Sequence, residues 1–87
     1  MKTIGKPIEM IAHYKDKGEP VPIRFRYSTE EAPVVVQVDK ILETRREKNP
    51  DFGMTVIYRC QSLRDGVTIT YELRFLVDRM GWQLWRG

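Results

Sequence analysis

The chain has a single cysteine and a single histidine among its 87 residues. One thiol excludes an intrachain disulfide and any multi-cysteine metal site. One imidazole, His13, excludes a histidine pair and a Ser-His-Asp relay with a base to spare. No glycine-rich turn follows a strand pattern and opens a helix, so the phosphate cradle of nucleotide enzymes is missing. No apolar run is long enough for a membrane-spanning helix. Met1-Lys2-Thr3-Ile4-Gly5-Lys6 lacks the apolar core of a secretory signal. Charge of one sign is scarce too. Residues 1–20 carry four bases against three acids, 21–53 six against six, and 54–87 five against three. That is a thin footprint for a protein built on phosphate contacts. The expectation is a cytoplasmic, non-catalytic domain with no cofactor or metal, the absent disulfide fitting a reducing compartment.

What is present is a β pattern. After Asp65-Gly66, the apolar residues Val67, Ile69, Tyr71, Leu73, Phe75 and Val77 alternate with Thr68, Thr70, Glu72 and Arg74. Alternation of this kind gives a strand with one buried and one wet face. Asp-Gly supplies the positive φ angles of a two-residue hairpin turn. Closing the turn there sets Cys60 opposite Tyr71, Tyr58 opposite Leu73, Val56 opposite Phe75 and Met54 opposite Val77. Arg59 then faces Glu72 on the other side of the sheet. A one-residue slip would invert every side chain, so the register is strongly specified.

Six strand-like runs follow from the same reading. Pro7–Tyr14 places Ile8, Met10, Ala12 and Tyr14 inward. Ile23–Tyr27 places Ile23, Phe25 and Tyr27 inward and Arg24 and Arg26 outward. Val34 to about Thr44 pairs with it, Tyr27 to Val34, Phe25 to Val36 and Ile23 to Val38. The pattern blurs at Asp39-Lys40-Ile41-Leu42, which predicts a bulge or a helical turn. Residues 45–53, polar and closed by Asn49-Pro50 and Gly53, read as a charged loop, and residues 1–6 as a disordered start. Met54–Ser62 and Val67–Asp78 form the hairpin, the latter spanning roughly 40 Å at about 3.3 Å per residue. Met80-Gly81 turns into Trp82–Arg86, pairing Val77 with Leu84 and Leu76 with Trp85. The expected fold is all-β: one domain, a single antiparallel meander of about six strands, rolled into a strongly curved sheet or small barrel of SH3-like size.

One surface feature stands above background. The register that buries Tyr71, Leu73 and Phe75 brings Ile57, Leu76 and Trp85 together on the opposite face. Arg59 and Arg74 flank them, with Arg24 and Arg26 pointing outward from the second strand. A Trp among arginines on a curved sheet suits single-stranded nucleic acid, whose bases stack on the ring while guanidinium groups meet phosphate. The same residues suit a protein partner as anchors, the chain being a monomer or weak homodimer. A competing reading folds Thr44–Phe52 or the N-terminus over the patch as a second small core. Trp82, on the inward register, is expected to be buried and Trp85 partly open.

The stretches Pro22-Ile23-Arg24-Phe25-Arg26-Tyr27, Val38-Asp39-Lys40-Ile41-Leu42, Tyr58-Arg59-Cys60, Tyr71-Glu72-Leu73 and Trp82-Gln83-Leu84 carry a resemblance. From Pro22 to Leu84 the chain resembles a group of uncharacterised small bacterial proteins, some encoded beside translesion DNA polymerases. The resemblance implies an accessory binding role near DNA repair and brings no catalytic residue with it.

Overall fold

The computed structural model describes residues 3–16, 18–51 and 53–86. Seven strands, β1 Thr3–His13, β2 Val21–Ser28, β3 Pro33–Gln37, β4 Lys40–Asn49, β5 Gly53–Arg64, β6 Val67–Leu76 and β7 Gly81–Arg86, make one antiparallel sheet. Their order across it is β3-β2-β1-β7-β6-β5-β4, and the sheet curls into a half-barrel. A single turn of 3₁₀ helix, Val77–Arg79, separates β6 from β7.

The β5–β6 hairpin has the register that alternation predicts. Cys60 pairs with Tyr71, Tyr58 with Leu73, Val56 with Phe75 and Arg59 with Glu72. Asp65 and Gly66 both take positive φ, 51° and 77°, as a type I′ turn demands. The inner face collects Phe25, Val36, Val56, Tyr58, Cys60, Tyr71, Leu73, Phe75, Trp82 and Leu84 into one core. Phe75 and Tyr58 each pack on Trp82, with ring centroids 4.9 and 5.5 Å apart.

Elsewhere the chain departs from expectation in instructive ways. The single strand expected from Val34 to Thr44 is two, β3 and β4, on opposite edges of the sheet. They join through Val38-Asp39, where Val38 N–H donates to Ile23 O and Asp39 N–H to Gln61 O. A register shift between Ile41 and Glu43 confirms the irregularity expected there. The far end of β5 then ties the two edges together. Ser62 Oγ donates to Gln37 O, Arg64 Nη1 donates to Val35 O, and Leu63 N–H donates to Asp39 Oδ2. The Gln37 and Val35 carbonyls of the β3 edge are thus already engaged, while the β4 edge stays open.

Residues 45–49 are strand rather than loop. Their pairing to β5 runs from Arg45 opposite Ile57 to Asn49 opposite Gly53. An edge strand that buries almost nothing carries no hydrophobic alternation, so it was invisible to periodicity. Phe52 lies outside the described residues. β1 likewise begins at Thr3, which pairs with Arg86, and Lys6 pairs with Leu84; Met1 and Lys2 lie outside the described residues.

The β6–β7 register is corrected by four residues. Leu76 faces Gly81, Phe75 faces Trp82, Leu73 faces Leu84 and Glu72 faces Trp85. The reversal uses four residues, Val77–Met80, with Met80 in the left-handed region at φ 54°. An even offset preserves which face each side chain takes. Val77 consequently pairs with neither Met54 nor Leu84, and Met54 is partly open at the rim. Ile23, expected inward, is 45% exposed. Ile11 pairs with Arg24 but Ala12 with Pro22, so Ile23 is the extra residue of a bulge. Val67, beside the hairpin turn, is also exposed, since the core does not reach the strand's end.

Residues 14–16 and 18–20 lie across one end of the curl. Trp82 Nε1 donates to Tyr14 Oη at 3.2 Å, Tyr58 Oη donates to Pro20 O, and Arg46 pairs with Glu19. Tyr14 is therefore a rim residue with its ring edge on Phe75, not a member of the first strand.

Candidate binding surface

The residues singled out from sequence all sit on strands whose outer face they share, but they fall into two groups. Ile57, Arg59, Arg74, Leu76 and Trp85 occupy β5, β6 and β7. Arg24 and Arg26 lie on β2, separated from β7 by β1.

In the first group, Arg74, Glu72 and Trp85 engage one another, whereas the exposed Arg59 side chain has no hydrogen-bond or ion-pair partner among the described residues. The Arg74 guanidinium lies 4.1 Å from the centroid of the Trp85 ring and donates through Nε to Glu72 Oε2 at 2.8 Å. Glu72 also meets Arg45 at 3.6 Å, and Arg45 reaches Glu43 and Glu47 at 3.4 and 3.7 Å. Trp85 Nε1 donates to Gln83 Oε1. Ile57, flanked in register by Arg45 and Arg74, is 1% exposed, and Leu76 is also buried. The apolar part of the expected patch, Ile57 and Leu76, is therefore buried although it lies on the outer face. Arg59 faces Glu72 across the strands, yet the carboxylate's ion pairs go to Arg45 and Arg74. Trp82 is buried on the inner face and Trp85 half-buried on the outer, as expected.

The second group borders open space. Glu9, Met10, Ile11, Arg24, Phe25, Arg26 and Val35 line a groove of about 420 Å³. Ile11 and Val35 are 52% and 53% exposed, large aliphatic side chains facing water on either side of the two arginines. Arg26 forms a two-pronged pair with Glu9, both oxygens at 2.9 Å. Arg24, exposed beside it, has no hydrogen-bond or ion-pair partner among the described residues. The β2 bulge at Ile23 adjoins this groove and sets the step at which Ile11 and Arg24 meet. Sequence reasoning found both arginines; Ile11 and Val35 were missed as contact residues because isolated outward aliphatics are common on any sheet.

Burial pushes the Cys60 thiol up to about 12. Burial also raises Tyr71, which meets Ser62 Oγ, to about 12, and raises Tyr58 as well. All three are held in their neutral forms. Among the described residues no group of three or more His, Cys, Asp or Glu is placed to hold a metal ion, and no helix is long and apolar enough to cross a membrane. Comparison with protein-family models, curated proteins and solved structures returned no match.

Proposed function

We propose that the chain is a protein-binding module, its contact surface being the outer face of β1, β2 and β3. The observation that carries this reading is the groove between Ile11 and Val35, with two arginines along its floor and more than half of each aliphatic side chain in water. Aliphatic anchors with a flanking guanidinium are what a modest protein interface uses. The nucleic-acid alternative has less support. Stacking on Trp85 would compete with Arg74 for a ring face, and Glu72, Glu43 and Glu47 would meet the phosphates nearby. Read with the resemblance noted above, the partner would be a protein of DNA repair. No catalytic step is part of this proposal.

The test is a selection of ligands from a displayed random-peptide library on the immobilised full chain, run beside a titration with a single-stranded oligonucleotide at low salt. The reading expects enriched peptides displaced by Val35→Asp but not by Trp85→Ala, and unchanged tryptophan fluorescence with the oligonucleotide. Saturable quenching by the oligonucleotide, or no enriched peptide, would overturn it.

A further inference from the structure

We infer that the occupant of this groove is an acidic protein segment carrying aliphatic side chains, with Arg24 as the residue that selects for acid. The inference rests on the binding reading above and names the chemistry of its partner. Three observations support it. Arg24 projects into the groove from the strand that forms its floor and is the charged group there without a partner. Arg26 is engaged by Glu9, but the pair is exposed, 53% and 74% by side chain, so a second carboxylate can share the guanidinium from solvent. Such an exposed pair contributes little to stability, which leaves Arg26 cheap to recruit. The aliphatic walls supply contact area on both sides of these charges, so acid alone or apolar residues alone would use only half of the surface.

Neighbouring elements bear this out. On the Trp85 side Arg45 and Arg74 are engaged by Glu72, Glu43 and Glu47, whereas the groove holds two guanidinium groups against the single carboxylate of Glu9. The bulge at Ile23 lies at this place in β2, and bulges commonly re-aim side chains beside binding surfaces. Glu9 then acts as a competitor, an internal carboxylate that an incoming acid must displace or share with.

The experiment uses the full chain, isotope-labelled, with three short capped peptides: one alternating Glu with Val and Ile, its Lys counterpart, and one of Glu and Gly. The acidic aliphatic peptide should move the amide signals of Ile11, Arg24 and Val35, with affinity falling as salt rises. Arg24→Glu should weaken it about tenfold, while Glu9→Gln should tighten it severalfold by freeing Arg26. The Lys counterpart should bind the Arg24→Glu protein better than the original, a swap that misfolding cannot mimic. Equal binding of acidic and basic peptides, no shift at millimolar acidic peptide, or concentration-dependent shifts at these residues with no peptide present (a second copy as occupant) would each overturn the inference. Library ligands that map to this face without being acid-rich would sink it alone; the absence of any ligand there would sink the binding reading as well.

Discussion

At the scale of single residues, Trp85 and Gly53 make opposite kinds of contribution. Trp85 stands outside the core and holds Arg74 against its ring. Trp85→Ala should therefore cost about 1–2 kcal/mol, from a cation–π contact and partial burial, and leave a folded protein. Urea denaturation reads this directly; loss of folding would instead make Trp85 part of the core. Gly53 sits at φ 74°, where the chain turns from β4 into β5, and a Cβ there would collide with the Asp78 carboxylate. That side chain is exposed and can swing away, so the lasting penalty is the backbone's, about 1–2 kcal/mol for Gly53→Ala. Pairing it with Asp78→Ala should recover only a minor part. Ser62 is a third case, 1% exposed, its hydroxyl meeting both Gln37 O and Tyr71 Oη. Ser62→Ala would strand the buried Tyr71 hydroxyl, remove a donor from Gln37 O, and should cost about 1–3 kcal/mol.

Elements differ in how firmly they are held. β5 and β6 are flanked on both sides and bury their inner residues, whereas β3 and β4 are edges. Amide exchange should accordingly be slowest in β5 and β6 and fastest along the open edge of β4. Equal protection in β4 would mean that something covers that edge in solution. The same contrast explains what could be read from the letters. The hairpin was legible because its two faces differ, so that Tyr58, Cys60, Leu73 and Phe75 announce the register. Residues 45–49 were illegible as strand because β4 wets nearly all its side chains and relies on backbone pairing and charge. Val38-Asp39 gave no sign that the chain leaves one sheet edge for the other, since that break depends on partners distant in sequence, Ile23 and Gln61. Of the candidate site, the arginines of β2 were visible, but the mutual satisfaction of Arg74, Glu72 and Arg45 depends on a β4 strand that periodicity could not find.

For the molecule as a whole, one inner face makes the fold and the outer face divides in two. The inner face holds Tyr58, Cys60 and Tyr71 neutral, which fixes the sign of an alkaline transition. Their ordinary values are 10.0, 9.0 and 10.0, and the fold raises all three, Cys60 and Tyr71 to about 12. Above pH 9 the unfolded chain releases these protons first, so the contribution of these three groups to stability should be level below that point and fall progressively toward pH 12. Urea midpoints across that range check it, and the phenols should ionise together with unfolding. On the outer face, Trp85, Arg74, Glu72 and Arg45 engage one another, and the exposed Ile11–Val35 side is where we propose binding. The most direct measurement follows the Trp85 indole N–H signal and the Arg24 and Val35 amides in one spectrum while the acidic aliphatic peptide, and separately a single-stranded oligonucleotide, is added. The indole should stay in place while Arg24 and Val35 move with the peptide; an indole that shifts saturably with the oligonucleotide while the other two stand still would contradict the assignment.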